Sequence, residues 1–297
     1  MQCPRVSILI PTMNGEAHLR RLLPALRAQV LEGGFEIVAL DSESDDATRD
    51  LLAEFEVRHE SIARADFSHG TARNRLGSMA LGEVLVFLSQ DALPVGNHFV
   101  ATLIEPLSKP KVAGTWARNL PNPTDDALTA RSLLSSGESD GQSRRVTLEP
   151  GTCLADLSPL DRMLRTRFNN VASAMGRKML VRYPFPDVPF GEDSAWAASV
   201  LGAGLELQYV AQAEVLHAHR YGPRSAYKRN EQDARFMREV HGWVARPSLF
   251  SVFKGVCHEL REDARFLWGR RGPIGAILRA PTLRIGQVLG QWAGSRR

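Results

Sequence analysis

Two stretches decide the fold class: Val6-Ser7-Ile8-Leu9-Ile10-Pro11-Thr12-Met13-Asn14-Gly15 and Phe35-Glu36-Ile37-Val38-Ala39-Leu40-Asp41-Ser42. Each is a short apolar run that stops at polar or turn-forming residues. Runs of this length, bounded this way, read as buried strands rather than helices. Between them Glu16 to Val30 carries helical spacing, with Leu19, Leu22, Leu23 and Leu26 on one face. After Asp41, either Asp45 or Asp46 can cap a second helix that turns Leu51, Leu52 and Phe55 inward. A third helix is predicted over 71–81. A further strand, Glu83 to Leu88, ends in Ser89-Gln90-Asp91. Strand–helix alternation with short connections predicts an α/β domain with a doubly wound, mainly parallel sheet.

In such sheets ligands bind beyond the carboxyl ends of the strands. Three polar clusters, Pro11–Gly15, Asp41–Asp46 and Ser89–Asp91, all follow strands. Regularity then stops. In residues 119–160, Asn119 to Pro123 and Ser135 to Ser143 are loop-like, and the stretch reads as a long lid, binding loop or disordered segment. Structure resumes near Phe168–Val181. A helix is expected from about Glu192, and Gln208–Val210 and Glu214–His217 read as two short strands. Beyond Gly222 the chain is helical in propensity. The expected organisation is a catalytic domain over 1–222 and a basic helical extension over 223–297.

Composition fits this picture: 43% hydrophobic and 24% charged residues suit a globular protein with a substantial core. The absence of a long apolar run predicts no membrane-spanning helix. A strand starting at Val6 leaves no room for a secretory leader, so a cytoplasmic setting is expected. Cys3, Cys153 and Cys257 are too scattered for a zinc or redox pair and read as buried or incidental thiols. Residues 221–297 hold 15 Lys and Arg against 6 Asp and Glu, a net of +9, whereas the whole chain is +4. An acidic body with a basic tail suits contact with an anionic surface. The aromatic residues of the tail, among them Phe250, Phe253, Trp268 and Trp292, suit peripheral membrane contact at the inner face of the cell membrane. A homodimer interface or a packed cap on the domain is the other reading of the tail.

Five clusters carry candidate chemistry. Asp41, at a strand end, can accept the ring N–H of a uracil or thymine, or simply close a turn. Arg73 follows Ser68-His69-Gly70-Thr71-Ala72 at a helix start, where a phosphate or base carbonyl could be held. Asp91 could bind Mg²⁺ or Mn²⁺ bridging a diphosphate. Glu192 and Asp193 precede a helix. One of them could take the proton of an attacking sugar hydroxyl. His217 and His219 would share one face of a strand and could complete a metal site or contact phosphate.

In this order the clusters resemble glycosyltransferase family 2, in particular its rhamnosyltransferase-like branch. The matching segments are Ile10-Pro11-Thr12-Met13-Asn14, Asp41 to Thr48, Phe67 to Asn74, Phe87-Leu88-Ser89-Gln90-Asp91-Ala92, and Phe168 to Ala174. The resemblance spans roughly residues 5–222. It implies the GT-A fold: a Rossmann-like mixed, mainly parallel sheet flanked by helices. It places Pro11, Thr12, Asn14, Asp41, Ser42, Arg73, Gln90 and Asp91 at the nucleotide-sugar donor. It makes Asp193 the general base with Glu192 beside it, and makes Asp91, His217 and His219 the site of a divalent cation. Ser89 stands where the family's metal motif usually has a first aspartate, as in the rhamnosyltransferase-like branch.

The implied reaction is inverting sugar transfer, with dTDP-rhamnose the first-choice donor. The acceptor would be a glycan, a lipid-linked saccharide or a small-molecule hydroxyl. A catalytically silent nucleotide-sugar-binding scaffold on the same fold is the alternative. A dehydrogenase is excluded because no Gly-x-Gly-x-x-Gly follows the first strand. Nucleic acid is not an expected partner, since only the tail would support it.

Overall fold

The computed structural model describes residues 5–269 and 273–296. Cys3, Arg270, Arg271 and Arg297 lie outside the described residues. The chain divides into two compact units. One comprises residues 1–119, 140–156 and 165–217; the other comprises 120–139, 157–164 and 218–297.

The first unit is built on a nine-stranded sheet. Strands β1 (Val6–Thr12), β2 (Phe35–Asp41), β3 (Arg58–Ser61) and β4 (Val84–Leu88) form its parallel part, in the order β3-β2-β1-β4. Helices α1 (Glu16–Arg27), α2 (Thr48–Glu54) and α3 (His69–Met79) connect them. Side chains of β1 alternate between two cores. Val6, Ile8 and Ile10 pack with α1 and its Leu19, Leu22, Leu23 and Leu26, while Leu9 packs with Leu76 of α3 and Trp196. Both faces are therefore covered, and that is why the strand reads as a nearly unbroken apolar run.

The sheet then turns mixed. It continues through β5 (Leu93–Pro94), α4 (Phe99–Ile104), β6 (Val112–Leu120), β7 (Arg144–Val146), β8 (Ala172–Gly176), α7 (Arg177–Arg182), α8 (Glu192–Gly202) and β9 (Glu206–Leu216). β8 runs antiparallel between β4 and β6. The two short strands expected at 208–210 and 214–217 are one strand, β9, paired antiparallel with both β5 and β7. Its middle residues, Ala211 and Ala213, are small and buried, so they continue the ladder without an apolar signal.

The second unit differs from the expected extension in where it begins and in what it includes. The strip expected to be a loop holds α5 (Ala127–Leu134) and ends at α6 (Pro159–Arg165). The carboxylate of Asp126 caps α5 by accepting from the N–H groups of Leu128 and Thr129. Leu128 packs with Ala226, Leu267, Ala276, Ala280 and Leu283. These belong to α9 (Pro223–His241), α10 (Leu249–Gly269) and α11 (Ile274–Arg296). Asp263 lies at the centre of this unit. It accepts from Arg131 at 2.8 Å and from two nitrogens of Arg284, each at 2.8 Å. Glu259 also pairs with Arg131. Cys153 and Cys257, expected to be buried or incidental, are both exposed free thiols. No described helix is long and apolar enough to cross a membrane.

Candidate active site

The first two strand-end loops are fastened to each other. Ser44 donates its backbone N–H and its hydroxyl to Asp41, at 3.0 and 2.5 Å, and Thr12 donates to the same carboxylate at 3.3 Å. The N–H of Asn14 donates to Ser44 Oγ and that of Gly15 to Thr48 Oγ1. Asn14 and Glu43 hold left-handed backbone conformations, φ 47° and 51°. Such conformations are unfavourable for non-glycine residues and persist only where surroundings impose them. Asp41 is fully buried with its oxygens engaged, and Thr12 and Ser42 are nearly so. In this arrangement Asp41 shapes the loop, and Ser42 keeps a buried hydroxyl without a partner.

Gln90 ties the third strand end to the first. Its amide accepts from the N–H of Met13 at 3.0 Å and donates to the carbonyl of Met13 at 3.1 Å. A Cβ on Gly15 would meet Gln90 Oε1 at 2.4 Å, so glycine there permits the approach. Asp91, next in sequence, lies two residues before β5, and His217 directly follows β9. The β5–β9 register sets Leu93 against Leu216 and thereby brings these two side chains together. Asp91 Oδ2 and His217 Nε2 are 3.5 Å apart. His217, Ala218 and His219 leave β9 as one continuous segment. His219 follows His217 by two residues. A carboxylate and an imidazole at this spacing suit a divalent cation.

The acid pair lies at the start of α8. Gly191, at φ 79°, turns the chain into the helix, and Glu192 and Asp193 fill its first turn, where the helix dipole favours negative charge. Glu192 is buried and paired with Arg73 of α3 at 2.5 Å. Asp193 remains partly open to solvent but is held in dense surroundings. Burial and the neighbouring Glu192 push its pKa up to about 7. Arg73 and the backbone N–H groups of Ser194 and Asn170 oppose that rise. Burial lowers the pKa of Arg73, against the pull of both carboxylates. A carboxylate poised near neutrality and reachable from solvent is suited to accept a proton. Arg73, expected at the donor, pairs with Glu192, and its Nε is buried and unpartnered.

Two features that join these parts fall in segments the family resemblance marked, without a partner having been assigned to either. Asn74 grips the backbone of Phe185, donating to its carbonyl at 2.8 Å and accepting from its N–H at 3.0 Å. Gly70 lets Pro186 pass so closely that a Cβ would lie 2.2 Å from its carbonyl oxygen. Helix α3 thus seats the loop that leads to the acid pair. Asn170 is the second feature. The segment before β8 receives a hydrogen bond from the N–H of Ser89 at Val171, and Asn170 donates its own N–H to Asp193. The Asp91 loop and the acid pair therefore meet the same short segment. Asn74 and Asn170 both stand in the segments that resemble the family, Phe67 to Asn74 and Phe168 to Ala174, but a local motif does not identify a long-range partner.

Residues 7–168, more than half of the chain, match the model of the family described as Glycosyl transferase family 2. The O-antigen chain rhamnosyltransferase RfbN of Salmonella typhimurium is 28% identical over 232 residues, covering 76% of this chain and 70% of that protein. WbaN of Salmonella anatum, also an O-antigen chain rhamnosyltransferase, is 27% identical and covers 82% and 75%. Among solved structures, the mannosyltransferase PcManGT from Pyrobaculum calidifontis, in complex with GDP-Man and Mn²⁺, aligns with a TM-score of 0.58 at 18% identity, over 97% of this chain and 86% of that one. Glucosyl-3-phosphoglycerate synthase from Mycobacterium tuberculosis aligns at 0.53 and 18% identity, over 80% of each chain. At such identities the structural likeness is one of fold, and that fold is GT-A.

Proposed function

This chain belongs to glycosyl transferase family 2 and is a glycosyltransferase, and from that premise we propose a metal-assisted, inverting transfer of a sugar from a nucleoside diphosphate. The observation that carries the reading is Asp193, a solvent-reachable carboxylate whose pKa is raised to about 7 beside a buried Arg73–Glu192 pair. The acceptor hydroxyl gives its proton to Asp193 as its oxygen forms the bond to the anomeric carbon. The bond from that carbon to the diphosphate oxygen breaks on the opposite face. Glu192 is paired with Arg73, and its negative charge raises the proton affinity of Asp193. The chain's remaining task is to hold donor and acceptor in line, which lowers the barrier through orientation.

Pro11, Thr12, Asn14, Asp41, Ser42 and Gln90 form the scaffold of the donor site, with the loop carrying Met13 on its surface. Asp91, His217 and His219 would hold the cation, and the two imidazoles favour Mn²⁺ over Mg²⁺. When bound, the cation neutralises charge on the leaving diphosphate. The likeness to two O-antigen chain rhamnosyltransferases supports dTDP-rhamnose as donor and a saccharide, free or lipid-linked, as acceptor.

The test incubates the chain with dTDP-rhamnose, UDP-sugars and GDP-sugars, Mn²⁺ and saccharide acceptors, and reads the product's anomeric configuration by NMR. Transfer with inversion that is lost in Asp193→Asn is the expected result. A folded protein that binds a nucleoside diphosphate yet yields no product with any pair would favour a silent scaffold. Turnover surviving in Asp193→Asn but lost in Glu192→Gln would move the base to Glu192.

A further inference from the structure

The outward faces of α10 and α11 have a composition that their fold does not explain. On α10, Phe250, Phe253 and Trp268 are exposed, Trp268 by 90%. Lys254, Arg261 and Arg265 share that exposed face. The helix also carries three acids, but none stands alone among them. Glu259 and Asp263 are drawn inward by Arg131 and Arg284, and Glu262 is paired with Arg265. The exposed face is thus aromatic and basic. On α11 the exposed apolar residues are Ile274, Ile277, Leu278, Ile285 and Leu289, a row at helical spacing. Between the two helices lies an apolar hollow of about 630 Å³, lined in part by Leu260, Leu267, Trp268 and Ile277.

Large exposed aromatic and aliphatic side chains in one patch mark a surface that is covered in use. We propose that this face of α10 and α11 binds the surface of an anionic lipid bilayer. The aromatic and aliphatic side chains would enter the boundary between headgroups and acyl chains, and the basic side chains would meet the lipid phosphates. Apolar anchors interleaved with cations are what interfacial helices use. Neither helix is apolar enough to cross the membrane, so contact is in the plane.

Charge decides against the other occupants. A two-fold contact with a second copy would oppose this basic face to itself, placing like charges together. A nucleic acid would engage the cations but leave the aliphatic row of α11 wet. The proposal concerns the second unit alone, and vesicle binding is read without any sugar transfer, so its failure and that of the transferase reading are separate.

The experiment floats the full chain with vesicles of phosphatidylcholine alone and with vesicles that also contain phosphatidylglycerol. Binding to the anionic vesicles should be at least about tenfold stronger. The pair Lys254→Glu with Arg261→Glu should weaken it by more than about tenfold, given roughly 1 kcal/mol for each basic residue near an anionic surface. Phe253→Ser with Trp268→Ser should weaken it as well, with an unchanged circular dichroism spectrum. On the wild type, brominated lipids should quench fluorescence, and Trp268→Phe should remove most of that quenching. Equal binding to the two vesicle types, no binding to either, or variants that float like wild type would overturn the proposal. So would variants that float normally but split a dimer into monomers in sedimentation equilibrium, which would make the face a self-association surface.

Discussion

Asp193 gains its proposed role from two charged neighbours pulling in opposite directions, Glu192 upward and Arg73 downward, and each pull can be removed singly. Because its pKa is raised to about 7, log kcat/KM should climb with pH and level off above that value. Asp193→Asn should lower kcat by about 10²–10⁴ and flatten the limb, the usual range for a lost general base. Glu192→Gln removes a charge that raises the pKa and should move the limb to lower pH. Arg73→Gln removes a charge that lowers it and should move the limb to higher pH. A structural role alone would not shift the two limbs in opposite directions; limbs that stay put would refute the coupling. The same shift has a stability consequence. A carboxyl whose folded pKa lies above its ordinary 3.8 stabilises the fold below about pH 4, and that contribution is lost as pH rises through about 7. Asp193→Asn should therefore melt above wild type at pH 8, with the gap closing near pH 4. The acid pair was legible in the sequence because two carboxylates at a helix start are a local pattern. The partners of Asp193 were not. Arg73 lies 120 positions away, and nothing in its local sequence distinguishes a ligand-facing arginine from one committed to Glu192.

Among the elements, those with a strong period were read closely, and the misses fell on elements without one. β1, α1, β2 and β4 each have continuous or regularly spaced apolar residues, and all formed within two or three residues of expectation. α5 has only eight residues and is defined by its Asp126 cap and by Leu128 reaching a distant cluster, so it read as loop. Helix α11 hides a further determinant in its glycines. Gly286, Gly290 and Gly294 recur every fourth residue and lie against α9, where added Cβ atoms would meet the carbonyls of Pro223, Tyr227 and Glu231 at 2.2 to 2.4 Å. Backbone cannot yield as a flexible side chain can. Gly290→Ala should therefore destabilise the protein by about 1–3 kcal/mol through overpacking. Gly275, on the same helix, faces open space. Gly275→Ala should stabilise by up to about 1 kcal/mol through helix propensity. Thermal melts of the two variants test the contrast, and equal effects would show that the close α9–α11 approach is not required.

For the whole molecule, the candidate site depends on elements far apart in the chain, and ligand-linked stability is the direct way to ask whether they act together. A ligand present at 100 times its Kd stabilises the folded state by about 2.7 kcal/mol, which appears as a rise in Tm. One nucleoside diphosphate, dTDP on the present reading, should raise the Tm in the presence of Mn²⁺ and raise it less without the metal. His217→Ala should remove the metal-dependent part of that rise and leave the remainder, because Asp91 then loses its neighbour across the β5–β9 register. Gln90→Ala should weaken the response with or without metal, since it frees the Met13 backbone that Gln90 holds on both sides. The two variants thus separate cation from nucleotide through residues in adjoining loops. A metal-dependent rise that persists in His217→Ala would place the cation elsewhere. If instead Gln90→Ala lost only the metal-dependent part, the strand-end scaffold would be serving the cation, and the nucleotide would have to be held by residues outside these loops.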